Sequence, residues 1–422
     1  MVTFKTNFKK VGEVDIRKIL KKIEQTETPK VNKVAVAYSG GLNSTLGIEF
    51  LRRKYKAKKI IPITIDVGQG EEEILEGRRK AKILKINPLF FNLQKEFTEC
   101  WIARAIQANS DCLGYPISAS MARQIVAKKV AEVAQAEGCD ALLEGSSGKG
   151  NNPYCMHNVF KMLAPEMKIL VPGRDFDMTR LEEEVLCREW GVPVTGTITG
   201  GDDKTMWCRS VASGSIELNQ PLPDDIWMWY RPPEKAPDQS TCLTLEFEKG
   251  IPVKLNGIRR SLGEIIPELN MIGGVHSIGK IDIFENGIMD LKRREIYEAP
   301  AATLLLKTHQ DLEQFCLTKD EIQFKKGVDQ KWAYLIYHGM AYHPLRNHLD
   351  AFIETSQKRV NGQYKIKLFK GNIEMVNRES KTGLFSPEIR SMNAGGFNQR
   401  RCADRAFIRG FPFEISDRKE NR

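Results

Sequence analysis

The run Tyr38-Ser39-Gly40-Gly41-Leu42-Asn43-Ser44-Thr45 is the stretch of this chain best equipped to hold an anion. Two adjacent glycines let backbone N–H groups approach a ligand closely, and a helix starting there adds its positive end. Three hydroxyls stand within short range of the same point. A Walker-type loop needs a longer spacing that ends in Gly-Lys-Ser/Thr, which this turn lacks, so ordinary γ-phosphate transfer is not expected. A plain strand-to-helix turn is the competing reading of any Ser-Gly-Gly.

Other reactive side chains are less well placed. Cys155 has His157 two residues away, which is not by itself a nucleophile–base geometry. The nine cysteines, including Cys112, form no CxxC pair, so free thiols are expected and structural zinc is disfavoured. His343 and His348 lie near Tyr342 without an accompanying carboxylate pattern, which favours packing or surface roles over a metal. Lys149, in a glycine-rich segment, fits either a phosphate or carboxylate contact or a solvated loop.

The surrounding pattern supplies the elements that would position these groups. Val14, Ile16, Ile19, Leu20 and Ile23 fall at helical spacing, followed by a Pro-containing linker. VAVAY at 34–38 reads as a buried strand and LGIEFLRRKY as the helix after the turn. KKIIPITID ends a second strand at Asp66, and EEEILEGRRKAKILK reads as a helix whose Glu71, Glu72 and Glu73 favour its N-terminal dipole. PLFFNL at 88–93 reads as a third strand, and a long amphipathic helix runs from Met121. DALLEG and KILVPG read as strands ending at Gly145 and Gly173. This alternation predicts an α/β fold, a parallel sheet flanked by helices that binds ligands beyond the carboxyl ends of its strands. After about residue 195 the texture changes: TLEFEKGIPVKLNG reads as a hairpin within a second, α+β domain, which ends in an irregular basic tail.

Length and composition frame the function. A chain of 422 residues is long for one core, and 41% apolar with 28% charged residues is ordinary for a soluble globular protein. The first thirty residues lack the apolar core of a signal peptide, and no window reaches the roughly 20 apolar residues of a spanning helix, so a cytoplasmic protein without membrane attachment is expected. A net charge of +10 suits anionic ligands; a solvated basic surface explains it equally, with arginines 390, 400, 401, 405 and 409 near the C-terminus.

The Ser39–Ser44 turn resembles the SGG-x-D-S signature of PP-loop ATP pyrophosphatases, with Asn43 where the signature has aspartate. Four further segments resemble the argininosuccinate synthase family in order and spacing: Asp66-Val67-Gly68-Gln69-Gly70, Gly145-Ser146-Ser147-Gly148-Lys149-Gly150-Asn151, Tyr297-Glu298-Ala299-Pro300 and Leu368-Phe369-Lys370-Gly371-Asn372. They span nearly the whole chain. The resemblance implies an N-terminal extension (1–31), a PP-loop ATP-binding domain (32–195), a substrate-binding α+β domain (196–380) and a C-terminal oligomerisation tail (381–422) in a homotetramer.

It also implies an AMP-forming ligase that uses ATP and Mg²⁺. Such an enzyme adenylates the ureido oxygen of citrulline, and the aspartate amine then displaces AMP. ATP would be held by Ala37, Tyr38, Ser39, Gly40, Gly41, Leu42, Asn43, Ser44, Thr45, Ile65 and Gly145, aspartate by Ser147, Asn151 and Asn152, and citrulline by Tyr115, Ser120, Asn151, Ser210, Glu285 and Tyr297. Four positions depart from the family's pattern: Asn43 and Asn152 replace aspartates, Cys155 the arginine on the citrulline carboxylate, and Gly201 a nearby serine. Losing a carboxylate clamp is costly if the charge stays buried. Arg123 or Arg209 would have to replace it, although each also fits a packing or surface role. The alternatives are another carbonyl or ureido substrate, a catalytically impaired nucleotide-binding protein, and a tRNA-modifying PP-loop enzyme, for which paired reactive cysteines and an RNA module are missing; nucleic acid is therefore not the expected partner.

Overall fold

The computed structural model describes residues 14–112, 114–146, 151–193, 202–212, 221–287, 290, 292–390, 393 and 398–403. Five short apolar runs form one parallel sheet: β1 (Lys33–Ala37), β2 (Lys59–Asp66), β3 (Leu89–Asn92), β4 (Ala141–Leu143) and β5 (Lys168–Leu170), in the order β3-β2-β1-β4-β5. β1 is central, with Val34 opposite Ile60 on one side and Ala141 on the other. Its middle residues Val34, Ala35 and Val36 are fully buried, as expected of a parallel strand covered on both faces.

Helices cover the two faces. α1 (Ile16–Gln25), α2 (Leu42–Arg53) and α6 (Arg180–Trp190) share one apolar cluster with Val34 and Val36, to which α1 contributes Ile19 and Ile23. On the opposite face, α4 (Ala119–Ala136) and α5 (Asn152–Leu163) pack together and join a larger cluster containing Ala35, Ile61 and Ile63. α3 (Glu71–Ile83) connects β2 to β3. β3 forms as expected but at the sheet edge, where Leu89 and Phe90 stay exposed.

Two strand ends differ from the sequence reading. β4 stops at Leu143, because the Glu144 carboxylate accepts hydrogen bonds from the Ser146 amide and hydroxyl and turns the chain. β5 stops at Leu170, and Pro172 opens a helical turn over Pro172–Asp175, since proline has no N–H for a ladder.

The remainder is built on antiparallel sheets. β6 (Asp202–Lys204), β7 (Arg209–Ala212), β11 (Lys280–Asn286) and β12 (Lys292–Glu298) form one, in the order β11-β12-β7-β6. β8 (Thr241–Glu248), β9 (Ile251–Leu255), β10 (Ile258–Arg259), β13 (Gly362–Phe369) and β14 (Asn372–Glu379) form the other, and the expected hairpin is β8–β9. Helices α7 (Leu262–Val275), α8 (Pro300–Cys316), α9 (Lys319–Tyr337) and α10 (Pro344–Gln357) complete this region. Leu243, Leu245, Leu304 and Trp332 belong to the same cluster as Ala35 and Ile63, so the two parts share a continuous core. No helix among the described residues is long and apolar enough to cross a membrane. Of the tail, residues 404–422 lie outside the description.

Candidate active site

The phosphate turn sits between β1 and α2. Tyr38 continues from β1, its amide donating to the Ile63 carbonyl (2.8 Å) and its buried hydroxyl to the Gly77 carbonyl (3.1 Å). Burial pushes this tyrosine up to about 12. Gly40 adopts φ +77°, and a Cβ there would stand 2.4 Å from Gly77 Cα, so α3 supports the turn from behind. The Lys80 ammonium, also buried, donates to the Gly40 carbonyl (2.9 Å). Gly41 caps α2 without a side-chain hydrogen bond, which leaves the first turn's N–H groups for an anion.

The hydroxyls of the turn also bond within it. Thr45 is fully buried and donates to the Gly41 carbonyl at 2.6 Å; Ser44 donates to the same oxygen at 3.1 Å. Both brace the turn, and Ser39 lies 3.2 Å from the Ser44 hydroxyl. Gly145 follows β4 against the start of α2, where a Cβ would stand 2.8 Å from the Ser44 nitrogen. Ala37 ends β1 and Ile65 lies one residue before the end of β2, so the ATP-type positions gather at the carboxyl edge of the sheet. Beside them a cavity of about 880 Å³ opens among Asp66, Gly68, Phe90, Met206, Trp229 and Met271. No residue from Ser39 to Thr45 lines this cavity, so it adjoins the phosphate turn rather than containing it.

Two of the citrulline-type residues, Tyr115 and Asn151, converge on a third, Glu285. Glu285, on β11, accepts from the Tyr115 and Tyr337 hydroxyls at 2.9 Å each and from the Asn151 amide at 3.4 Å. Its second oxygen accepts from Arg293 Nε at 2.6 Å. The Tyr115 ring stacks on Tyr297 with centroids 4.5 Å apart, and Tyr297 is the register partner of Ser210 on β7. Ser120 lies in the first turn of α4. Ser147 and Gly201 lie outside the described residues, as do Lys149 and the Asn152 side chain.

Three contributors are absent from the sequence reading. Tyr337, at the end of α9, hydrogen-bonds both Glu285 and Asn151. Arg293 pairs in register with Glu285 across the β11–β12 hairpin, and Glu295, two residues on, lies on the same strand face. Arg293 Nε approaches Glu295 Oε2 at 3.0 Å without hydrogen-bond geometry. Burial raises Glu295 to about 8; Arg293 opposes this and Glu285 adds to it. Strand alternation at 293, 295 and 297 was a readable signal for these two, whereas nothing local to residue 337 marked that tyrosine.

Position 155 carries no cation. Cys155 is fully buried, lies 3.6 Å from the Tyr337 carbonyl, and burial pushes its thiol up, which argues against a nucleophile. Arg123, one turn along α4 from Ser120, is ion-paired with Asp203 and interacts electrostatically with Cys155 and Arg293. Arg209 is committed elsewhere, to Glu298 and the Ile226 carbonyl. Every described cysteine side chain is a free thiol. His343 caps α10 by accepting from the Leu345 amide.

The residues at the turn do not fit a protein-held Mg²⁺. The Asn43 amide oxygen already accepts from Arg180 Nη1 at 3.0 Å. Among the described residues no group of three or more His, Cys, Asp or Glu side chains could hold a metal ion.

Residues 33–193 match the model of the arginosuccinate synthase N-terminal HUP domain, and residues 201–415 that of the arginosuccinate synthase C-terminal domain. The argininosuccinate synthase of Methanopyrus kandleri is 37% identical over 395 residues, covering 92% of this chain and 100% of the relative. That of Methanocaldococcus jannaschii is 38% identical over 396 residues, with 93% and 100% covered. That of Pyrobaculum aerophilum is 40% identical over 371 residues, with 87% and 93% covered. With both halves matched in order and the phosphate turn built at the sheet edge, this chain belongs to the argininosuccinate synthase family.

Proposed function

We propose that this chain is an AMP-forming carbon–nitrogen ligase that joins citrulline to aspartate. The ureido oxygen attacks the α-phosphorus of ATP and pyrophosphate leaves. The aspartate amine then attacks the activated ureido carbon, AMP leaves with the C–O bond electrons, and the amine gives up a proton. Adenylation is needed because a ureido oxygen is a very poor leaving group, and holding both substrates in register removes much of the entropic barrier.

The observation that carries this reading is the convergence of Tyr115, Asn151 and Tyr337 on Glu285 in the same fold as the phosphate turn. Arg123, one turn along α4 from Ser120 and ion-paired with Asp203, is the cation assigned to the citrulline carboxylate. The positions assigned to ATP, aspartate and citrulline are then those given by the resemblance, with Ser147, Asn151 and Asn152 on aspartate. Mg²⁺ would arrive on the triphosphate and neutralise its charge there. A homotetramer in the cytoplasm completes the proposal.

The test is release of AMP and pyrophosphate from purified protein with ATP and Mg²⁺. Release that requires citrulline and aspartate together supports the assignment. Silence with that pair, but turnover with another ureido compound, assigns a different acceptor.

A further inference from the structure

The phosphate turn must neutralise a pyrophosphate, yet its cations are unevenly placed. Lys80 is turned behind the turn, onto the Gly40 carbonyl and toward Glu76. Arg180 reaches the other side. It is the first residue of α6, a helix fixed by a Thr179–Glu182 capping box and packed on α2. From there its guanidinium donates to Asn43, the second residue of α2, whose first-turn N–H groups face an incoming anion.

Arg180 is tethered but lightly paired. Its own helix offers two ion pairs longer than a hydrogen bond, Glu184 at 3.5 Å and Glu183 at 4.0 Å, and its side chain is 42% exposed. A guanidinium has five N–H donors in a planar fork, and the tether to Asn43 uses one of them. An aspartate at position 43 would place a carboxylate against Arg180 and cancel its charge. The amide of Asn43 orients the same guanidinium without adding a third carboxylate beside Glu183 and Glu184.

Resting on the AMP-forming reading above, we propose that Arg180, positioned by Asn43, binds the leaving pyrophosphate and takes over charge neutralisation that a carboxylate-held Mg²⁺ would otherwise provide at this turn. Two parallel N–H···O contacts to phosphate oxygens match the fork geometry of arginine. The contact strengthens as negative charge collects on the leaving group, so it favours departure rather than ground-state binding alone.

The experiment is calorimetric binding of inorganic pyrophosphate and, separately, AMP to the full chain, with and without Mg²⁺. R180Q is expected to weaken pyrophosphate about tenfold or more while AMP changes less than about twofold, with R180K between. Equal loss of both ligands, or loss of neither, overturns the proposal. Asn43→Asp is the second variant: without Mg²⁺ it is expected to weaken pyrophosphate by pairing the guanidinium, and unchanged or tighter binding would overturn the idea. No turnover is involved, so a protein that binds pyrophosphate through Arg180 but makes no argininosuccinate would fail only the ligase assignment.

Discussion

Gly40 and Gly77 meet backbone to backbone: a Cβ on Gly40 would stand 2.4 Å from Gly77 Cα. The phosphate turn therefore owes its shape to α3 as well as to its own residues. Gly40→Ala faces that clash and a left-handed φ of +77°, which alone costs about 1–2 kcal/mol. Gly77→Ala is milder, its Cβ meeting Ser39 O at 3.3 Å with an ordinary φ. Titration with ATP should show G40A losing nearly all affinity and G77A a lesser part; the reverse order would refute the support role assigned to α3.

Glu285 gathers two tyrosine hydroxyls, an amide and a guanidinium. Removing one donor to a carboxylate costs about 1.5–3 kcal/mol. Tyr337→Phe is thus expected to raise the citrulline KM about tenfold or more and leave the ATP KM unchanged. Steady-state kinetics with each substrate varied in turn checks this; a matching rise in the ATP KM would point to general loosening instead.

Arg123 and Arg209 make opposite predictions. Arg209 forms a buried ion pair with Glu298, so Arg209→Gln leaves that carboxylate held by the Met228, Trp229 and Tyr230 amides without its counter-charge, and should cost about 3 kcal/mol of stability. Arg123→Gln should melt close to the parent yet raise the citrulline KM by about 10- to 100-fold. Denaturant unfolding and citrulline kinetics on both variants separate the roles. Arg123 is no carboxylate anchor if its replacement leaves that KM alone.

Glu295 links pH to stability. Its folded value is raised to about 8, chiefly by burial, whereas an unfolded glutamate titrates near about 4.3. The folded chain therefore keeps a proton that the unfolded chain releases. The associated stability is present in full below the unfolded value and is lost as pH rises toward about 8. Glu295→Gln cannot titrate, so its melting temperature should gain on the parent between pH 5 and pH 8, by thermal unfolding at matched ionic strength; parallel curves would dismiss this link.

What the sequence determined by itself was local or carried by the whole pattern. The buried run at 34–36, the double glycine and the helix after it lie within about twenty residues, so their spacing dictates strand, turn and helix without distant help. Alternating strands and helices likewise made the parallel sheet legible, and the ordered segments identified the family. Tertiary structure decided what each side chain does there. Thr45 reads as a phosphate donor, and only the fold shows that it is buried and bonded to the Gly41 carbonyl. Arg209 and Arg123 are equivalent candidates in one dimension; Glu298 takes one and Asp203 pairs with the other. Tyr337 and Arg180 reach their partners across 52 and 137 residues, and no periodicity encodes such meetings. Secondary structure follows from neighbours a few positions apart, but a site is assembled by chain segments whose separation in sequence places no constraint on their contact until the core has packed.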